Sequence, residues 1–336
     1  MMKIPVKSKI SIPLSFRQLA KKSRVWLLML VLLAAVVAML YLVTGISQSQ
    51  DTLSVSLDER IDVPPVQQMS DISHQSEEKV LRVAIAGVIS PTMTLEYYQE
   101  LLQYMGRELG MEVRLILKPS YAEINDLIKG GRVEVAFVCS LAYCEGYHDF
   151  GMELLVAPQV AGETIYYSYL IVPKDSPITV LEALRGRSFA FTDPLSNSGY
   201  LAPSYQLALL DEKPASFFNR YTFTYSHDNS IAAVAARLVD GAAVDSLVYD
   251  QLAEKDPGLT SKTRVIARWG PYGIPPVVVN PNLDPDLKKQ LQDFFLNMDQ
   301  SEEGQAILGG LDIDKFVILG HDAYTSLMEM KERVGW

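Results

Sequence analysis

Cysteine and histidine are scarce here, at two and four among 336 residues. Cys139 and Cys144 are the only thiols, and no pair of histidines stands near them, which argues against a zinc site. The chain lacks a His-Glu-x-x-His helix motif, a Gly-rich phosphate loop ending in Lys-Ser/Thr and a Gly-x-Gly-x-x-Gly fingerprint. Metalloprotease, nucleotide-hydrolysing and dinucleotide-dependent chemistry are therefore without their usual apparatus. A Cys139 nucleophile served by His148 is demanded by no spacing. The chain reads as a non-enzyme with no cofactor and no metal. It also lacks basic excess: 30 Lys and Arg stand against 40 Asp and Glu, a formal charge of −10. A nucleic-acid partner would need a basic face, so that class is set aside.

Acidic residues are missing altogether before Asp51, whereas Lys3, Lys7, Lys9, Arg17, Lys21, Lys22 and Arg24 precede an uncharged run, VWLLMLVLLAAVVAMLYLV, at residues 25–43. The run is long enough to span a bilayer core as a helix, and the flanking charge places the N-terminus in the cytoplasm. Its length, the long basic segment and the absence of a following Ala-x-Ala favour an uncleaved signal anchor over a cleaved signal peptide. The expected organisation is a cytoplasmic segment at 1–24, a transmembrane anchor at 25–44 and a polar linker with Pro64-Pro65 at 45–78, then an exported domain. Beyond the anchor the balance is 23 basic to 40 acidic residues. Anion selectivity there would have to come from local dipoles and hydrogen bonds rather than from long-range steering.

From Val80 onward, apolar strand-like segments alternate with amphipathic ones. Strands are expected at 81–87, 113–117 and 133–139, with helices at 95–109 and 121–129, the pattern of a mostly parallel sheet. A strand at 166–172 leaves that unit. A second alternating set comes next, with strands at 188–192, 221–225 and 242–245 and helices at 179–185, 199–210, 229–238 and 246–254. A short strand at 277–279 returns toward the first unit, and helices at 284–298 and 302–308 close the chain. About 240 residues in two such halves exceed one small core and suit two lobes. An oxidising compartment would permit a Cys139–Cys144 disulfide, provided the local turn brings their Cα atoms within about 7 Å.

Residues 193–203 read DPLSNSGYLAP. Asp-Pro ends a strand, and Ser196, Asn197 and Ser198 lead through Gly199 into a helix. Short polar side chains and unpaired N–H groups at a helix start form a site suited to a small oxyanion, although Ser and Asn are also ordinary N-caps. Ser140 comes after the third strand, where ligands of open α/β sheets bind, and the loop Ser90-Pro91-Thr92 holds the corresponding place after the first. Asp245, at the end of the strand at 242–245, faces the same cleft if the strands are parallel.

The order of elements and the phrases YLIVPKDSPI, TDPLSNSGYLAPSY and SHDNSIAAVAARLVDGAAVDS resemble the phosphate/phosphite/phosphonate-binding family, the periplasmic substrate-binding proteins of ABC transporters. The resemblance covers roughly residues 80–316. It implies a two-lobed α/β "Venus flytrap", with hinges near Val172-Pro173 and Pro275-Val277. Lobe 1 would comprise 79–172 and 277–320, lobe 2 would comprise 173–276, and residues 321–336 would form a tail. It further implies a cradle at Ser196, Asn197, Ser198 and Gly199, with Tyr121, Tyr166 and His227 closing on the anion. Leu247 and Pro275 stand where the family's amine-reading acids would be. The implied function is capture of phosphate, phosphite or a simple phosphonate for an ABC permease. The alternative is a ligand-sensing or scaffold module that presents a small molecule to a partner membrane sensor.

Overall fold

The computed structural model describes residues 79–336; the basic segment, the apolar run at 25–43 and the linker lie outside them. Among the described residues no helix is long and apolar enough to cross a membrane. The first sheet has the order β11-β4-β10-β3-β1-β2. Its members are β1 (Val80–Ile85), β2 (Glu112–Leu117), β3 (Val135–Phe137), β4 (Glu153–Gln159), β10 (Val277–Val279) and β11 (Lys315–Val317). β1 runs parallel to β2 and β3, joined through the crossover helices α1 (Pro91–Leu109) and α2 (Tyr121–Lys129). The second sheet is ordered β7-β6-β8-β5-β9. It is built from β5 (Ile165–Pro173), β6 (Ser188–Phe191), β7 (Arg220–Phe223), β8 (Gly241–Asp245) and β9 (Thr263–Gly273). The inner strands β8 and β10 are buried along their whole length, whereas the edge strands β7 and β9 expose many of their residues.

Both sheets are mixed rather than mostly parallel. β10 is antiparallel to β3 and β4, and β5 is antiparallel to β8 and β9. These are the strands beside the two crossings between sheets, where the chain returns without a helical crossover. The whole of β5 hydrogen-bonds within the second sheet. The first crossing is therefore at residues 160–164, upstream of Val172-Pro173, and the second is at 274–276. Pro173 and the turn after it belong inside the second lobe.

Two segments carry structure that periodicity does not reveal. α3 (Ser140–Phe150) buries Ser140, Leu141, Ala142, Tyr143, Cys144 and Gly146. Its first five residues are buried in succession, all round the first turn, so no single apolar stripe marks the helix. Residues 321–336, expected as a tail, hold a helix at Thr325–Val334 whose Leu327 and Met330 enter the core. Lys331 pairs with Glu145 at 2.6 Å, Tyr324 donates to the Ile274 carbonyl at 2.8 Å, and the Trp336 ring stacks on Tyr200. Cys139 and Cys144 are both free and buried, so the disulfide does not form.

The lobes are hydrogen-bonded to one another. The Tyr121 N–H donates to Asp193 Oδ2 at 3.2 Å, the Ser90 N–H to Asp228 Oδ1 at 2.9 Å and the His227 N–H to the Val88 carbonyl at 2.9 Å. One apolar cluster joins Tyr121, Ile124 and Tyr143 of the first lobe to Leu201 and Ala202 of the second. The arrangement is closed.

Candidate ligand-binding site

The site is built where strand ends of both sheets meet. After β6, Asp193 accepts the Leu195 N–H at 2.8 Å and turns the chain, and Ser196 caps the next turn. Residues Asn197–Leu201 form that turn, a single wide π-turn that continues into α4 (Ala202–Leu209). Gly199 is required there: a Cβ would lie 2.5 Å from Thr192 Cβ and closer still to its hydroxyl oxygen. We expect Gly199→Ala to cost about 3 kcal/mol in urea unfolding, since neither partner can retreat within a filled core. A cost below about 1 kcal/mol would mean that the turn can relax.

Ser196 Oγ accepts the Gly199 N–H at 3.0 Å, so both groups serve the turn itself. The Asn197 N–H reaches Cys139 Sγ at 3.4 Å across the lobes, and its Nδ2 donates to Tyr166 Oη at 2.9 Å. Ser168 Oγ, on β5, donates to the Ser198 carbonyl at 2.6 Å. Three buried polar atoms of this cluster have no hydrogen-bond partner: Tyr121 Oη, Asn197 Oδ1 and Ser198 Oγ. Each such group costs about 1–3 kcal/mol when left unpaired. Burial holds the Tyr121 and Tyr166 phenols well above their usual range, so both keep their protons and remain donors.

His227 lies at the start of α5 (His227–Ala235), fully enclosed. The Asp245 N–H donates to its Nδ1 at 3.0 Å, and Thr192 Oγ1 stands 3.1 Å from the same atom. Nδ1 therefore carries the lone pair and Nε2 the proton. Burial pushes this imidazole down to about 3, so His227 is neutral at neutral pH and meets an anion without a positive charge. Asp245 caps α6 (Ser246–Lys255), accepting the Leu247 N–H at 2.8 Å, and burial pushes its carboxyl up to about 7. It is thus partly protonated near neutrality. Ser140, by contrast, donates to the Gly273 carbonyl at 2.7 Å and ties α3 to the second crossing.

Asp193, Thr192 and Cys139 join the cluster, although nothing in the sequence singles them out as ligand-site residues. Asp193 reads there only as a strand breaker, yet its carboxylate bridges the lobes. Cys139 is buried with its thiol pushed up to about 11, while His148 is exposed near the far end of α3. No nucleophile–base pair forms. The cluster contains no Lys or Arg, so its donors are hydroxyls and amides that carry no counter-charge.

The family model for "ABC transporter, phosphonate, periplasmic substrate-binding protein" matches residues 83–324. The chain belongs to that family. Its members bind substrates for transport and are not enzymes, and this binding protein is none either. The chain is 30% identical over 247 residues to the phosphonates-binding periplasmic protein of Escherichia coli (strain K12), covering 71% of this chain and 72% of that one. A solved binding-protein component of an ABC phosphonate transporter from Pseudomonas aeruginosa superposes with a TM-score of 0.72 at 26% identity, over 76% of this chain and 86% of that one. PhnD1 of Prochlorococcus marinus, solved in complex with methylphosphonate, shares the fold at a TM-score of 0.69 and 20% identity, over 76% and 98%. This chain shares the two-lobed α/β binding-protein fold with both solved structures.

Proposed function

We propose that this binding protein captures a phosphorus oxyanion, either phosphate, phosphite or a phosphonate, and delivers it to an ABC permease. A helix at 25–44 would tether it to the inner membrane, with the linker at 45–78 holding the lobes in the periplasm. The observation that carries the reading is the set of buried, unpartnered groups at Tyr121, Asn197 and Ser198. Tyr121 and Ser198 hydroxyls would donate to anion oxygens, and charge-assisted bonds of this kind are the strong ones. Tyr166, whose oxygen already accepts from Asn197, would donate as well. Asn197 Oδ1 is an acceptor and asks for a donor. A monoprotonated phosphorus oxyanion supplies a P–OH; sulfate at neutral pH has no proton to give. The protonated form of Asp245 would add a donor without adding charge. Relatives named for phosphonates point to the same ligand class.

The test is thermal unfolding with millimolar phosphate, phosphite, methylphosphonate, aminoethylphosphonate and sulfate. A ligand stabilises only the state it binds, so at least one phosphorus anion should raise the melting temperature while sulfate should not. Equal shifts with sulfate, or none with any phosphorus anion, would contradict the reading.

A further inference from the structure

Residues 321–336 pack against three parts of the molecule at once. On the first lobe, the His321 ring stacks on Tyr147 of α3 with centres 3.8 Å apart, and its Nδ1 lies 3.0 Å from the Tyr143 hydroxyl. Lys331 pairs with Glu145 of the same helix at 2.6 Å. At the second crossing, Tyr324 donates to the Ile274 carbonyl at 2.8 Å. The segment lies so close there that a Cβ on Gly273 would stand 2.6 Å from the Ala323 carbonyl oxygen. On the second lobe, the Trp336 ring stacks on Tyr200 at 4.5 Å, and Tyr200 packs edge to face on Phe191 and Phe223 behind it. Between these ends, Leu327 and Met330 share one apolar cluster with Tyr143 of the first lobe and Leu201 and Ala202 of the second.

Two lobes that turn about their crossings cannot keep all of these contacts. Packed interfaces switch between discrete arrangements rather than deform continuously, so opening must release one side of the segment. The side on α3 combines an ion pair, a hydrogen bond and a ring stack. The outer end on the second lobe depends on one aromatic pair, whose Trp336 is 42% exposed. That end is the one to let go. Tyr200 belongs to the ligand turn and follows Ser198 by two positions, so the two side chains leave the turn on different sides. Trp336 thus grips the turn away from the Ser198 hydroxyl.

We propose that residues 321–336 are a strap that favours the closed arrangement of the lobes without ligand, with Trp336 as its catch. A strap of this kind raises the fraction of chains already in the closed, binding-competent state, and so the apparent affinity. The proposal concerns lobe motion and stands whichever ligand the site takes.

Electron spin distance measurement on the ligand-free full chain in lipid nanodiscs tests it, with spin labels at Glu100→Cys and Asn219→Cys. These positions are exposed, one on each lobe, and the buried Cys139 and Cys144 stay unlabelled. The parent should show one main distance. Trp336→Ala should add a second and lower the closed-to-open ratio about fivefold, the order expected for one aromatic pair. Trp336→Phe keeps a ring on Tyr200 and should stay near the parent. Adding Lys331→Ala to Trp336→Ala should enlarge the second population further. Trp336→Ala carries the test by itself should the double variant fail to fold. An unchanged distance distribution in Trp336→Ala, whatever its urea midpoint, would assign the segment to stability alone and overturn the proposal. A parent that is mainly open without ligand would overturn it too.

Discussion

Tyr121→Phe combined with Ser198→Ala should lower oxyanion affinity by two orders of magnitude or more while leaving the ligand-free chain at least as stable as before. Both hydroxyls are buried and unpartnered, so removing them relieves an unpaired donor of about 1–3 kcal/mol each. Small cavities at the two positions offset part of that relief, since Ser→Ala and Tyr→Phe each delete one atom. In the bound state the same hydroxyls make charge-assisted bonds worth about 1.5–3 kcal/mol apiece, and two of them amount to roughly 100-fold or more in affinity. Urea unfolding without ligand and calorimetric titration with the best phosphorus anion measure the two effects separately. Loss of stability with unchanged affinity would assign these groups to the fold instead.

The buried pair His227 and Asp245 should give two variants with opposite pH profiles of stability. Asp245 holds its proton in the folded chain up to about pH 7, whereas the unfolded carboxyl gives its proton up near pH 4. Its contribution is complete below about pH 4 and is lost as pH rises toward 7. His227 runs the other way. Its folded value of about 3 lies below the unfolded 6.5, so its contribution is complete above about pH 6.5 and is lost as pH falls toward 3. Each displacement is worth on the order of 4 kcal/mol over its full window. In the native protein the two slopes oppose each other between about pH 4 and 6.5 and nearly cancel. Asp245→Asn leaves the histidine unopposed, and stability should climb with pH across 3 to 6.5 relative to the parent. His227→Gln keeps an acceptor for the Asp245 N–H and leaves the carboxyl unopposed, so stability should fall as pH rises from 4 to 7. Denaturant midpoints at half-unit pH steps decide the matter. Parallel curves for parent and variants would mean that neither group is displaced as the geometry requires.

The two lobes are legible in the sequence because most of their elements carry local signals. The helix at 121–129 is bounded in the sequence as in the structure, since Ser120 caps it by accepting the Glu123 N–H and Gly130 stops it. The helix before it begins earlier than its apolar pattern indicates. Its first turn, Pro91 to Thr94, depends on Pro at N1 rather than on an apolar stripe. β9 escapes detection because it bears Pro271 and lies on a sheet edge, where the apolar pattern is weak. The displaced first crossing has a similar origin: Pro173 to Pro177 looks like a boundary, yet the strand before it pairs entirely within the second sheet.

The candidate site divides in the same way. The turn at 196–199 announces itself through residue type, and the structure shows which of its groups are used up internally and which are free: Ser196 and Gly199 hold each other, while Ser198 Oγ has no partner. The neutral state of His227 could not be read from its neighbours in the chain, because it comes from enclosure by Thr192, Val88 and Asp245, which are brought together from three strand ends. The cavity between the lobes, with Ile89, Phe137, Leu247 and Pro275 among its walls, left no trace in any one segment, as those walls come from both lobes and the second crossing.

The decisive measurement is a crystal structure of the full chain with methylphosphonate. Two phosphonate oxygens should lie within about 2.5–3.0 Å of Tyr121 Oη and Ser198 Oγ, with the Asn197 side-chain carbonyl facing a third. An anion bound elsewhere, with both hydroxyls still unpartnered and enclosed, would contradict this placement.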